Sequence, residues 1–370
     1  GCVNMGEQTP AVAVASVAAA AAVAAAACVI AGRNIREYLA EEGSIEDAAS
    51  KPAAPARPHA YTLENSVQVP LVGFGTAFFV DEVRRPELAY AAVATAIELG
   101  YRHIDTAMMY GCERQVGRVL GDYFQSGKLK REDIHITTKI AHPPASNYPT
   151  AKTQYMYDPK LSAYSGVLQE YYQSLENLGV GYVDLLLIHW PGVMRDGPVF
   201  PVPTAEAART KRLEMWRALE YLYDKKLVRA IGVSNFTEEH LEQLLPCCAI
   251  PPMMNQIEVH PYLSQQSLVV YCQRRGIAIT AYSPLASGGF KLIEHPTIVK
   301  IAESHGSSPA AVIFAWLLQR GIIIIPKSSS PERLKENLRA GSIKLTSDEM
   351  RLISALNCDR RSCPDPNLII

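Results

Sequence analysis

Four side chains carry the first chemical clue. Asp105, Tyr110, Lys139 and His189 fall at or just past the ends of three apolar runs, in "HIDT", "ITTKI" and "LLLIHW". A lysine that closes a buried run is costly unless its ammonium is paired, and Asp105 supplies the opposite charge. A tyrosine set beside such a lysine gives up its proton more readily, because a nearby cation favours the phenolate. It can then deliver that proton to a substrate oxygen near neutral pH. His189 is suited to hydrogen-bond the same oxygen. Later runs end in Ser234 and Asn235, Gln256 and Glu258, Tyr282 and Ser283, and Lys327 and Ser328. Any one of these residues alone reads as structural. Compatible groups at successive run ends read as one site.

The elements that must position them alternate. Apolar, strand-like runs are expected at 71–75, 103–106, 134–139, 183–189, 230–234, 253–258, 278–283 and 322–326. Between them lie segments such as "PELAYAAVATAIELG" and "SSPAAVIFAWLLQRG", which open on Pro or a polar cap, keep a helical apolar spacing and end at Gly. Runs such as "DLLLI" and "GIIIIP" are apolar without alternation, as strands buried on both faces are. Eight strand-then-helix units over about 300 residues point to a (β/α)8 TIM barrel. In that fold catalytic groups stand at the C-terminal ends of the strands, where these polar residues fall. A doubly wound open sheet is the rival, weakened by the lack of a phosphate loop after the first strand.

Composition narrows the function further. The chain has 370 residues and a formal net charge of −1, which gives no electrostatic case for nucleic acid. Its 8 cysteines show no CxxC pair and no zinc spacing, so reduced thiols and no metal are expected. Neither a GxGxxG fingerprint nor a P-loop occurs.

Residues 1–60 have a different texture from 61–370, and the two are read as an N-terminal segment and a barrel domain. The segment holds an apolar stretch at 11–32, a mixed-charge piece and a Pro/Ala linker. At about 1.5 Å per residue the stretch is long enough for a bilayer core of about 30 Å. The preferred reading is a membrane span; a cleavable targeting segment, a helix docked on a partner and simple disorder are the alternatives. Only Glu7 precedes the stretch, whereas Arg33 and Arg36 follow it. The positive-inside rule then puts the barrel in the cytosol or a plastid stroma. Without an anchor the protein would be soluble there. "GCVN" also resembles the start of acylated proteins, though Met5 stands where Ser or Thr is usual.

Six blocks, "GYRHIDTAMMYGCE", "LLLIHWPG", "IGVSNF", "NQIEVHPYLSQ", "AYSPLASGG" and "IPKSSSPERLKENL", occur in an order that resembles the aldo-keto reductase superfamily, from about Tyr61 to Asn357. The resemblance implies a (β/α)8 barrel that uses NADPH/NADP without a Rossmann domain and reduces an aldehyde or ketone. It makes Tyr110 the general acid and Lys139, paired with Asp105, the cation that activates it, with His189 orienting the carbonyl. It places the nicotinamide on Tyr282, with the carboxamide at Ser234, Asn235 and Gln256. Ser283 and Leu285 join the cofactor set. Lys327, Ser328 and Arg333 would hold the 2′-phosphate, and Glu336 and Asn337 the adenine. Trp190 and Ala77 line the substrate pocket.

This sequence departs from the family pattern in places. Cys112 replaces a usual Asn, and Ala77 stands where many members carry Trp. The segment Ala141–Tyr164 looks like an insertion over the catalytic face. The tail after Asn357 is short, which implies an open pocket. Some barrels of the superfamily serve chiefly as components of membrane complexes. An accessory subunit with secondary catalysis is therefore the alternative function.

Overall fold

In a computed structural model of the chain, residues 60–77, 86–140, 162–192 and 204–369 are described. The apolar stretch 11–32, the linker and most of the insertion lie outside them. The described residues belong to one compact unit, 57–370.

Eight parallel strands form one sheet in strict chain order: β3 (Phe74–Gly75), β4 (His103–Asp105), β5 (His135–Ile140), β6 (Val183–Ile188), β7 (Val228–Ser234), β8 (Met254–Glu258), β9 (Ala278–Tyr282) and β10 (Ile322–Ile324). The first and last strands meet. Gly73 N donates to Ile324 O at 2.8 Å, Ile324 N to Leu71 O at 2.9 Å, and Gly75 N to Pro326 O at 3.2 Å. Closure is tight at Gly75, where a Cβ would lie 2.6 Å from the Ile325 carbonyl oxygen. The sheet is therefore a closed (β/α)8 barrel, as the strand count implied.

Period-two alternation sorts each strand into two cores. On β6, Leu186 and Ile188 face the helices and join Ile104, Ile136, Ile231 and Ile279 in the outer core. Leu185 and Leu187 join Ala230, Met254, Ala278 and Ile323 in a second, smaller core. Leu63, Val67 and Val69 complete that second core. They come from an antiparallel hairpin, β1 (Ala60–Thr62) and β2 (Gln68–Pro70), that the sequence did not disclose. His103 and His135 sit beneath it at the N-terminal starts of β4 and β5, and His103 Nδ1 lies 3.2 Å from Pro70 O. The hairpin thus plugs the floor of the barrel.

The same alternation aims Asp105 and Lys139 inward at the opposite end. Each occupies the parity of the inward-facing His103 or His135, two or four residues further along its strand. Helix starts are specified locally. Ser162, Thr204, Ser308 and Ser330 each accept a hydrogen bond from the backbone N–H three residues on, and Pro occupies the first turn of helices Pro309–Gln319 and Pro331–Arg339. Among the described residues no helix is long and apolar enough to cross a membrane.

Candidate active site

The C-terminal strand ends gather the first four residues. Lys139 Nζ donates to Asp105 Oδ1 at 2.5 Å, to Thr106 O at 2.9 Å and to Tyr110 Oη at 3.3 Å. Tyr110 Oη also lies 3.5 Å from His189 Nε2, with the two rings edge-to-face. Lys139 is fully buried, so its three contacts satisfy every proton of the ammonium. Burial lowers the lysine from its ordinary value, and Asp105 opposes that shift.

Tyr110 ends a short 3-10 turn, Met108–Tyr110, that follows β4. Gly111 then takes a left-handed conformation, φ 71°, and helix Glu113–Gln125 begins. Glu113 is buried and clips this turn to neighbouring elements. Thr138 Oγ1 donates to it at 2.7 Å and Asn177 Nδ2 at 3.2 Å. Burial raises its carboxyl, an effect those donors oppose. Cys112 is buried beside Thr76 and Thr106.

His189 is held neutral. Burial pushes its imidazole well below the usual histidine value, and the Lys139 charge pushes it further. Its Nδ1 has no hydrogen-bond partner among the described residues. An unpaired lone pair is tolerated inside a protein better than an unpaired N–H, so the proton belongs on Nε2, the nitrogen that faces Tyr110.

A second group adjoins the first. Gln256 Nε2 donates to Asp105 Oδ2 at 2.7 Å, so the amide expected at the cofactor also braces the aspartate. Ser234 Oγ donates to Gln256 O at 2.8 Å. Asn235 donates to His189 O at 2.9 Å and accepts from Tyr282 Oη at 2.7 Å, which fixes the Tyr282 ring. Asn235 has φ 62°, a conformation that asparagine tolerates better than most residues. Ser283 and Leu285 follow in the β9 loop, and Trp190 and the half-buried Ala77 flank the mouth from the ends of β6 and β3.

A third group stands after β10. Lys327 and Arg333 are exposed around the start of helix Pro331–Arg339, which Ser330 caps, and Ser328 Oγ accepts from Ser330 N at 3.1 Å. Two cations at a helix N-terminus suit a dianionic phosphate. Glu336 is half-buried one turn along, and Asn337 is buried beside Tyr101.

The short tail is not a loose end. Glu258, at the end of β8, accepts Ser362 N at 2.6 Å, Ser362 Oγ at 2.5 Å, Cys363 N at 3.2 Å and His260 Nε2 at 3.0 Å. The carbonyl of Ile369 meets His240 Nε2 at 3.3 Å. The tail is therefore fastened at the end of β8 and at the helix Glu238–Leu244 that follows β7.

A closed (β/α)8 barrel with titratable side chains converging on its C-terminal mouth defines a barrel-fold enzyme. Comparison with known proteins gives the family. The model of the aldo/keto reductase family matches residues 71–357. The 9,11-endoperoxide prostaglandin H2 reductase of Trypanosoma cruzi is 40% identical over 307 residues, 83% of this chain and 94% of that protein. An aldo/keto reductase of Synechocystis is 39% identical, covering 80% of this chain and 88% of the other. Among solved structures, an aldo-keto reductase complexed with NADPH aligns with a TM-score of 0.67 at 30% identity, covering 82% of this chain and 89% of that one. The chain belongs to the aldo/keto reductase family.

Proposed function

We propose that this chain reduces aldehydes or ketones with NADPH, using Tyr110 as the general acid. The contact that carries this reading is the convergence of Lys139 Nζ, 3.3 Å away, and His189 Nε2, 3.5 Å away, on the Tyr110 hydroxyl. His189 Nε2–H donates to the carbonyl oxygen and orients it. Tyr110 releases its proton to that oxygen as negative charge builds there. Lys139, held by Asp105, stabilises the phenolate left behind. The nicotinamide supplies the hydride. Tyr282 offers a ring fixed by Asn235, and Ser234, Asn235 and Gln256 supply polar groups beside it for a carboxamide. Lys327, Ser328 and Arg333 fit the 2′-phosphate, with Glu336 and Asn337 towards the adenine. Trp190 and Ala77 bound the carbonyl pocket, and the small Ala77 leaves room for a wider substrate.

The test is NADPH oxidation by the full chain with a panel of aliphatic and aromatic aldehydes and ketones. Turnover supports an enzyme. Tight NADPH binding without turnover of any panel member would favour the accessory-subunit reading. For residues 1–60 we propose a segment separate from the barrel, with 11–32 as a membrane span and the barrel facing the cytosol or stroma. Length and freedom from charge support this, and release of the protein from native membranes by alkaline carbonate would refute it.

A further inference from the structure

The loop that follows Tyr282 has an unusual backbone. Ser283, Ala286, Ser287, Phe290 and Lys291 all have φ between 45° and 62°. Residues with a Cβ avoid that region unless their surroundings impose it. Part of what imposes it is the tail. Cys363 Sγ lies 3.9 Å from Ser283 Oγ, and Ser362 Oγ lies 3.5 Å from Ser287 Oγ. The Arg360 guanidinium stacks 4.0 Å from the centre of the Phe290 ring. The tail is in turn held by a carboxylate. Glu258 is 1% exposed and accepts two consecutive backbone N–H groups, a hydroxyl and an imidazole N–H. Successive amides turned on one anion make a nest that neither group forms alone. Burial alone would raise the Glu258 carboxyl, but these donors carry it below its ordinary value.

We propose that Glu258 is a positioning residue for the cofactor: by anchoring Ser362 and Cys363 it makes the C-terminal segment a clamp that holds the loop 283–291 in the shape that retains the dinucleotide. The inference rests on the reading of Tyr282, Ser283 and Leu285 as cofactor residues. Glu258 touches neither substrate nor cofactor in this account. It acts through the tail and the loop. Chains of this kind have a cuttable link at each joint, Glu258 to Ser362 and Arg360 to Phe290, and the two cuts must not add.

Three variants of the full chain test it: Glu258→Gln, Arg360→Ala and the double variant. Glu258→Gln keeps the volume but turns an amide donor towards groups that already donate. Amide hydrogen exchange is measured first, without cofactor. Glu258→Gln should speed exchange at least tenfold in both 358–369 and 283–291. Arg360 is exposed, so Arg360→Ala leaves the fold intact and should speed exchange in 283–291. NADPH titration and steady-state kinetics follow. Glu258→Gln should raise the Kd and KM for NADPH at least tenfold while kcat at saturating NADPH changes less than twofold. Arg360→Ala should raise the Kd about threefold, and the double variant should match Glu258→Gln within twofold. Faster exchange confined to the tail, or a double variant whose Kd multiplies the two single effects, would overturn the clamp. A parent protein that fails to bind NADPH would overturn the reading of the site instead, and the cofactor-free exchange separates the two failures.

Discussion

Replacing Asp105 by Asn keeps the shape of the side chain and removes the charge that Lys139 depends on. Both groups are buried, with side-chain exposures of 2% and 0%. In the Asp105→Asn variant the ammonium keeps Thr106 O and Tyr110 Oη but loses its only counter-charge at contact distance among the described residues. Removing one partner of a buried pair costs about 3–5 kcal/mol, because the other charge stays buried and uncompensated. The asparagine adds a second fault. Lys139 and Gln256 each donate to one oxygen of Asp105. An amide NH2 must now face one of those donors. The expected loss at pH 7 is about 4 kcal/mol, a large share of the roughly 5–15 kcal/mol that holds a domain folded. The deficit should shrink as pH rises. Asp105 raises the Lys139 value against burial, so the variant lysine falls further. Between that value and the parent's own lowered value the folded variant has lost a proton that the folded parent still holds, while both unfolded chains keep theirs. Stability therefore climbs with pH across that window, by about 1.4 kcal/mol per unit. Adding Lys139→Met removes the stranded charge and should restore stability to within about 1.5 kcal/mol of the parent. Urea unfolding from pH 7 to pH 10 reads all three proteins. A single variant within 1 kcal/mol of the parent at pH 7, or a double variant as unstable as the single, would refute the reasoning.

Acid should unfold the barrel early. Burial lowers His103, His135 and His189, and lowers His240 to about 4. Each is neutral when folded and takes up a proton when unfolded once pH drops below about 6.5, so stability present above that pH is lost through the window below it. Four such groups give a slope of at most about 5 kcal/mol per pH unit, less about 1.4 where the raised Glu113 contributes with opposite sign. Urea midpoints that stay flat from pH 7 to pH 5 would contradict this. Arg333→Ala should weaken NADPH by about 1.5–3 kcal/mol, the scale of a hydrogen bond to a charged group, and leave NADH nearly unchanged. Isothermal titration with both cofactors checks it, and equal affinity of the parent for the two would count against the phosphate assignment.

Much of this site is written in local pattern. Strands buried on both faces show as unbroken apolar runs, and a run that ends in Lys or His marks both a strand end and a chemical group. The same pattern pairs Lys139 with Asp105, as their contact bears out. The hairpin at 60–70 left a fainter trace: its strands are three residues long, one ends in Pro70, and only Val67 and Val69 alternate. The buried state of Glu113 is hidden because an acid in a first helical turn ordinarily faces water. The anchoring of the tail is hidden because "CDRRSCPDPN" holds no apolar run. Its anchor, Glu258, lies 104 residues upstream of Ser362, and no local spacing reports a contact of that range. Gln256 had one expected role and has two neighbours, since its bond to Asp105 depends on strand order around the barrel.

The central claim is that the Tyr110 hydroxyl delivers the proton. Tyr110→Phe deletes that one oxygen and keeps the ring. Carbonyl reduction by the variant, measured at saturating NADPH, should fall about 10²–10⁴-fold, the contribution of a positioned general acid, while NADPH affinity stays within twofold of the parent. A Phe variant that reduces the same aldehyde at the parent rate would contradict the account.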